Sequence, residues 1–157
     1  MKKLVLFLLL ILSAHANAQV RVIKLPELQA MTKGKDTLYV VNFWSTWCKP
    51  CMQELPSFDS LSKEIKGPVQ LILVSLDFAE NLKTKVEPVL KSKHISATCV
   101  LLDETDANTF IPAIHKNWSG SIPATVLYYN GKSVLSEKKM HLDQIKSMMT
   151  AFVPGTY

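Results

Sequence analysis

The sequence has few of the features that define specialised protein classes. Its 157 residues contain only three cysteines, too few for a scaffold held together by disulfides. Five glycines and eight prolines exclude a collagen-like chain and a chain of flexible linkers. Hydrophobic residues make up 48% and charged residues 20%, as in globular rather than disordered proteins. Together with the length, this composition predicts one compact domain.

A dense run of basic residues is also missing. Lysine and arginine number 18 against 13 aspartates and glutamates, but the lysines are scattered as short pairs such as Lys138 and Lys139. A nucleic-acid groove would require a denser basic stripe on one face. We therefore expect no nucleic-acid partner.

The longest apolar run lies near the N terminus and covers only residues 4–12. Two lysines precede it, and Ala16 and Ala18 follow it as an A-x-A pair. This combination is typical of a secretory signal peptide, whereas a membrane span needs about 20 apolar residues. We expect residues 1–18 to be a cleaved leader, without stable membrane insertion afterwards, and residues 19–157 to form the exported domain. An uncleaved anchor is the alternative.

Hydrophobic patterning predicts strands that alternate with helices. Short β-branched and aromatic runs indicate buried strands, and apolar residues spaced three and four apart indicate helices. The Asn130-Gly131 pair is a strong hairpin signal. The predicted order is strand 38–44, helix 49–65, strand 69–76, helix 81–93, strand 98–102, helix 106–118, hairpin 124–129 with 132–137, and helix 142–152. This alternation predicts an α/β fold in which helices flank a central mixed sheet, parallel in its core.

Two of the three cysteines, Cys48 and Cys51, stand where a predicted strand is followed by a predicted helix. The start of a helix offers unpaired N–H groups and a positive dipole end, so Cys48 is expected to be a nucleophile with a lowered pKa. Cys51 lies close enough to form a disulfide with it. A zinc site would need four ligands, and no second C-x-x-C exists. A purely structural disulfide would close too small a loop to add much stability. The pattern favours redox exchange, without a metal.

The stretch that carries this motif, VNFWSTWCKPC over residues 41–51, resembles the active-site strand and helix of thioredoxin-like proteins. It is most similar to the exported TlpA/ResA-like branch of thiol–disulfide oxidoreductases. SIPAT over residues 121–125 matches the second signature of that family, a cis-proline loop before a strand. The resemblance covers residues 38–152 and implies a thioredoxin-like fold with the inserted helix of that branch.

The resemblance also implies residue roles. Cys48 attacks a substrate disulfide and Cys51 resolves the mixed disulfide, so the two form a redox-active disulfide. Pro123 is expected to be cis, with the Ile122 backbone pairing with substrate and Trp47 lining the docking surface. An ordinary trans proline that starts a strand is the alternative at position 123.

Two further positions relate to proton transfer and one to packing. Asn42 occupies the place where thioredoxins have a buried aspartate, so that proton carrier is absent. In the ResA-like branch a glutamate three residues after the second cysteine takes a comparable place, and Glu54 matches it. We expect Glu54 to transfer protons and to tune the pKa of the cysteines; a solvated residue of the first helical turn is the alternative. Cys99 has no family role and is expected to be a buried, inert strand thiol.

The function implied is that of a periplasmic thiol–disulfide oxidoreductase, in the reductase direction, with no cofactor beyond the cysteine pair. The partners implied are disulfide-containing protein substrates and a membrane thiol-transporting reductase, and many proteins of the branch serve cytochrome c maturation. A dithiol oxidase of the same fold and a non-catalytic thioredoxin-like binding module are the alternatives. The Lys-Pro pair between the cysteines does not fix the redox direction.

Overall fold

A computed structural model describes residues 20–155, so the predicted leader over residues 1–18 lies outside the described residues. The strands are β1 (Arg21–Ile23), β2 (Leu38–Trp44), β3 (Val69–Ser75), β4 (Cys99–Leu102), β5 (Ala124–Tyr129) and β6 (Lys132–Ser136). The helices are α1 (Leu25–Met31), α2 (Lys49–Glu64), α3 (Glu87–Ser92), α4 (Ala107–Ile114) and α5 (Leu142–Phe152). Within this described range, no helix has the length and apolar character needed to cross a membrane.

The six strands form one mixed sheet in the order β1-β4-β3-β2-β5-β6. Neighbours among β1, β4, β3 and β2 are parallel, whereas β5 is antiparallel to both β2 and β6. Asn130 and Gly131 both have positive φ in the β5–β6 turn. Asn-Gly pairs adopt this geometry readily, which is why the pair predicts a hairpin. The α/β class, with helices flanking a central mixed sheet, is confirmed.

Both faces of the sheet are covered, and β2 is buried along its whole length. Leu38, Val40 and Trp44 belong to one apolar cluster, which they share with residues of α2, α3 and α5. Val41 and Phe43 point to the opposite face and pack with residues of α1 and α4. β2 therefore lies between two apolar clusters, and packing on both of its faces holds the end of the strand from which the next turn starts.

Two elements were not predicted from the sequence. β1 has three residues, of which only Ile23 is buried, and α1 has one buried residue, Leu28. Such short elements leave no measurable periodicity. They become ordered through tertiary contacts, because β1 pairs in parallel with β4 over residues 100–102.

Two predicted helices differ from those observed. The single helix expected over residues 81–93 is wrong: a 3₁₀ turn (Ala79–Asn81) and a π-helical turn (Leu82–Val86) come first, and only α3 is α-helical. Pro88 lies in the first turn of α3, where its missing N–H is tolerated, but its ring prevents a regular α-helix from continuing backward. The helix expected over residues 106–118 ends at Ile114, because the backbone of His115 is extended.

Asp59 ties α2 to the segment that enters β4. Its buried carboxylate accepts hydrogen bonds from the Ser96 N–H at 2.6 Å and the Ala97 N–H at 3.0 Å, and it pairs with the Lys63 ammonium. Burial raises the pKa of Asp59, but the hydrogen bonds from Lys63 and the two N–H groups outweigh it and hold the pKa below its ordinary value. This carboxylate therefore fastens the middle of α2 to the rest of the domain.

Replacing Asp59 by Ala should lower the free energy of unfolding by about 2–3 kcal/mol near pH 7, because two backbone N–H groups lose a charged acceptor. Since folding lowers the pKa of Asp59, its contribution is present above the pKa of the unfolded chain and is lost as pH falls through the folded-state pKa. Urea unfolding at neutral and acidic pH measures both effects. The control Lys63→Ala removes only the exposed partner and should cost less than about 1 kcal/mol. Equal losses in the two variants would contradict this account.

Candidate active site

The two cysteines lie at the start of α2, directly after the buried strand β2. Cys48 is the residue that caps the helix, and its sulfur accepts the N–H of Cys51 at 3.3 Å. The two sulfurs are joined in a disulfide of 2.02 Å. Cys51 is fully buried and Cys48 nearly so, whereas the preceding Trp47 is 71% exposed. The disulfide is thus almost wholly covered at the N terminus of α2, at the positive end of the helix dipole, and the residue before it carries a large exposed aromatic ring.

The second motif faces the first. The Ile122–Pro123 peptide bond is cis, and the Ile122 carbonyl oxygen lies 3.7 Å from the Cys48 sulfur. Antiparallel pairing of β2 with β5 sets Phe43 opposite Ala124, which brings Pro123 to the end of β2. The backbone of Ile122 is therefore positioned at the Cys48 sulfur by the register of the sheet.

Trp118 supports the loop that contains this proline. Its indole N–H donates to the Ser121 carbonyl at 2.9 Å, and its ring packs on Phe43 with centroids 4.8 Å apart. The Glu137 carboxylate accepts the Ser119 N–H at 2.9 Å and the Ser119 hydroxyl at 2.6 Å. The proline loop is thus bonded both to the core and to the end of β6.

Glu54, one turn after Cys51 on α2, is fully buried rather than solvated. Its carboxylate accepts the Asn42 amide at 2.7 Å and the Met140 N–H at 2.9 Å. Burial raises the pKa of Glu54 to about 7, although the hydrogen bonds from Met140 and Asn42 and the positive charge of Lys139 act in the opposite direction. A carboxyl group with this pKa changes its charge at neutral pH, which suits it to proton transfer.

Asn42 is the only side chain that joins Glu54 to β5 among the hydrogen bonds of the described residues. Its amide nitrogen donates to Glu54 and, at 3.2 Å, to the Thr125 hydroxyl, while its own amide oxygen is buried without a partner. As it stands, the amide suits an ionised Glu54. After a half-turn of the amide, the same oxygen could accept a hydrogen bond from the O–H of neutral Glu54. Asparagine at this position therefore fits both charge states of the neighbouring carboxyl group.

Asp77 holds the turn between β2 and α2 from the side. It is buried, and its carboxylate accepts the Thr46 N–H at 2.9 Å, the Thr46 hydroxyl at 2.5 Å and the Ser75 hydroxyl at 2.8 Å. Sequence reasoning missed this residue. The available signal was an acidic residue close behind a buried parallel strand, because the carboxyl ends of parallel strands share one edge of the sheet.

Cys99 lies on β4 and is half-buried. Burial of the thiol raises its pKa to about 12. At neutral pH it remains a thiol rather than a thiolate, and thiols in this state react slowly.

The structure brings all six sequence-predicted site residues to one place, the carboxyl end of β2 and the N-terminal turns of α2. They are Trp47, Cys48, Cys51, Glu54, Ile122 and Pro123. The sequence did not indicate that Met140 and Asn42 donate to Glu54, nor that Asp77 holds the turn. Within residues 20–155, no group of three or more His, Cys, Asp or Glu side chains is arranged to hold a metal ion.

A C-x-x-C disulfide at a helix start, facing a cis proline that leads into an antiparallel strand, defines a thioredoxin-like protein. Residues 13–129 match the AhpC/TSA family, which is well over half of the chain, and the chain belongs to this family. The fold is thioredoxin-like, as predicted, with α3 and β4 forming the insertion after β3.

Relatives and a solved structure agree with this assignment. Thioredoxin-like protein YneN of Bacillus subtilis is 34% identical over 76 residues, covering 48% of this chain and 43% of that protein. Sporulation thiol-disulfide oxidoreductase A of the same organism is 34% identical over 70 residues, covering 44% of this chain and 41% of that protein. The matches thus span less than half of these relatives. The crystal structure of StoA from Bacillus subtilis has a TM-score of 0.60 at 25% identity and covers 74% of this chain and 85% of that one.

Replacing Glu54 by Gln should remove part of the pH dependence of stability. Folding raises the pKa of Glu54 from 4.5 to about 7. The resulting stabilisation is therefore fully present below the pKa of the unfolded chain and is lost as pH rises through the folded-state pKa. From this group alone, the free energy of unfolding of the wild type should fall by up to about 3 kcal/mol between acidic and mildly alkaline pH. Urea unfolding across that range measures the slope.

The matched control is Glu64→Gln, which changes an exposed glutamate on the same helix. It should leave the slope as in the wild type. Parallel curves for the wild type and Glu54→Gln would place the Glu54 carboxyl group in a water-like environment and contradict the buried network.

Proposed function

We propose that the chain is a thiol–disulfide oxidoreductase that acts on protein disulfides through Cys48 and Cys51. The observation that carries this proposal is the position of the disulfide at the start of α2, with the Cys48 sulfur 3.7 Å from the Ile122 carbonyl and next to exposed Trp47. A strand-like substrate segment that pairs with the Ile122 backbone would bring its own disulfide to Cys48. Trp47 and cis Pro123 would line this docking surface.

The reaction proceeds in two exchanges from the reduced pair. The Cys48 thiolate attacks one sulfur of the substrate disulfide, which forms a mixed disulfide and releases one substrate thiolate that takes up a proton. Cys51 then loses its proton and attacks the Cys48 sulfur, which releases the second substrate thiol and closes the Cys48–Cys51 disulfide. Two electrons pass from the cysteine pair to the substrate, and no other cofactor takes part.

Glu54 is the group proposed to take the proton from Cys51. It follows Cys51 by one helical turn, it is buried with it, and burial raises its pKa to about 7. A base is most effective when its pKa lies near the working pH. The amide of Asn42 can donate a hydrogen bond to the ionised acid and accept one from the neutral acid. Glu54 therefore keeps a hydrogen-bond partner in both protonation states.

The reductase direction is supported by electrostatics. A buried carboxylate disfavours a second negative charge nearby, so it raises the pKa of the cysteine thiols and destabilises the thiolate form of the reduced pair. Dithiol oxidases depend on the opposite arrangement, in which the reduced form is stabilised. A reduced cysteine pair close to a buried acid therefore donates electrons to a substrate disulfide more readily.

The compartment and partners are proposed from the sequence pattern and the family resemblance. The leader over residues 1–18 would export the domain to the periplasm, where oxidised substrates occur. A membrane thiol-transporting reductase would return the Cys48–Cys51 disulfide to the dithiol form. Among exported substrates, c-type apocytochromes are the class that the resemblance suggests, through a role in cytochrome c maturation.

Replacing Cys51 by Ala should trap mixed disulfides through Cys48, because the second exchange cannot occur. Cys48→Ala should trap almost none. The measurement is affinity purification of each variant from the exported fraction of acid-quenched cells, followed by electrophoresis with and without reductant. The species released from Cys51→Ala by reductant should include c-type apocytochromes.

The double variant, which lacks both cysteines, is the control for non-covalent binding. Equal trapping by Cys48→Ala and Cys51→Ala would show that the nucleophile is assigned wrongly. Wild-type protein that fails to reduce insulin with dithiothreitol would instead support a non-catalytic binding module.

Replacing Glu54 by Gln should lower the apparent pKa of Cys48 by about 0.5–1 pH unit, because a neighbouring negative charge is removed. It should also slow the exchange step that requires proton transfer near neutral pH. Iodoacetamide reactivity of reduced Cys48 against pH gives the pKa, with Glu64→Gln as the matched control. Superimposable curves for the wild type and Glu54→Gln would remove Glu54 from the mechanism.

A further inference from the structure

Large exposed apolar side chains are rare in the described part of the chain, and two of them follow the ends of two neighbouring strands, at the first of which the disulfide motif begins. Within residues 20–155 they are Val22, 43% exposed, Trp47, 71% exposed, and Phe78, 66% exposed. Val22 is on the edge strand β1. Trp47 and Phe78 follow the carboxyl ends of the neighbouring parallel strands β2 and β3. We call these two residues the aromatic pair.

The segments that carry the aromatic pair are bonded to each other. The residue before Trp47 is Thr46 and the residue before Phe78 is Asp77, and the Asp77 carboxylate accepts both the N–H and the hydroxyl of Thr46. One step earlier, the Leu76 N–H donates to the Trp44 carbonyl at 2.8 Å. Both segments are thus held side by side by hydrogen bonds.

The backbone of Phe78 is also fixed on its C-terminal side. Its carbonyl accepts the Asn81 N–H at 2.9 Å, which closes the 3₁₀ turn before α3. Its side chain nevertheless points into solvent rather than into either apolar cluster. An exposed aromatic side chain on a backbone that hydrogen bonds already hold is typical of a contact surface, because no backbone has to become ordered when it binds.

We propose that Phe78 extends the substrate-docking surface, so that the aromatic pair binds an apolar side chain of a polypeptide next to the cystine under attack. The occupant is an extended protein segment, because Trp47 directly precedes Cys48, whose sulfur lies 3.7 Å from the Ile122 carbonyl, and the residue before Phe78 is hydrogen-bonded to the residue before Trp47. This inference rests on the proposed function, since it assumes that Cys48 reacts with a substrate disulfide. It adds a preference for apolar over polar residues beside that disulfide.

The test compares two oxidised peptides that differ in one residue next to a cysteine, which is Leu in one and Ser in the other. The wild type should reduce the Leu peptide about fivefold more efficiently, judged by kcat/KM, because part of the Leu side chain leaves water on the aromatic pair. Phe78→Ala should bring this ratio close to 1, mainly through a higher KM for the Leu peptide. Phe78→Tyr should restore the preference, since a ring of similar size remains.

Val22→Ala is the matched control, because it removes an exposed apolar side chain at the far edge of the sheet. It should keep the ratio of the wild type. Equal rates for both peptides with the wild type, or a preference that survives in Phe78→Ala, would overturn the docking role of Phe78 while leaving the exchange chemistry intact. Failure of the wild type to reduce either peptide would instead refute the proposed function itself.

A second copy of the chain, rather than a substrate, is the other partner that could bind the aromatic pair. Sedimentation of the wild type and of Phe78→Ala across protein concentrations decides this. We expect the same monomeric species for both. A dimer that Phe78→Ala dissolves would assign the aromatic pair to self-association and would contradict the proposal.

Discussion

A carboxyl group buried beneath the disulfide is the constraint on which the rest of the site depends. Glu54 lies in the apolar core, where an ionised group costs several kcal/mol unless donors surround it. Its donors come from β2 through Asn42 and from the residue pair before α5 through Met140. The same hydrogen bonds therefore stabilise the charge and join α2 to the sheet and to the last helix. Because α2 also carries both cysteines, the position of the disulfide is tied to this network.

The network also connects the structure to redox chemistry. Desolvation outweighs the hydrogen bonds on Glu54 and brings its pKa to about 7, so a small change in nearby charge alters its protonation. Conversion of a disulfide to thiolates is such a change, and it occurs one helical turn away. Two groups that influence each other in this way titrate as a pair. In the function we propose, the cis-proline loop and the Asp77 contacts fix where substrate meets the sulfur, and Glu54 sets how readily the sulfur gives up its electrons.

Local patterns in the sequence were sufficient for the parts of the fold that are themselves local. The buried strand β2, the C-x-x-C motif at the start of α2 and the Asn130-Gly131 hairpin each follow from a few adjacent residues. β1 and α1 could not be predicted, because each has a single buried residue and so leaves no hydrophobic period to detect. The irregular turns before α3 were missed because the effect of Pro88 on the preceding backbone depends on how the segment packs.

The site shows the same division. Both cysteines could be identified from the C-x-x-C motif, whereas Pro123 and Glu54 were predicted from the resemblance to the family. The burial of Glu54 could not be predicted from the sequence, because its donor Met140 lies 86 residues further along the chain. Asp77 was missed for a similar reason, since its partner Thr46 is 31 residues away and Asp77 itself belongs to no motif.

The most direct test of this account is the reduction potential of the Cys48–Cys51 pair, measured at pH 7 by equilibration with glutathione in the wild type and in Glu54→Gln. If a buried acid disfavours the thiolate, the wild-type potential should lie near that of thioredoxin, about −270 mV. Glu54→Gln should be less negative, because the reduced pair loses a repulsive neighbour. A wild-type potential near about −120 mV, typical of a strong dithiol oxidase, or the same value in both proteins, would contradict it.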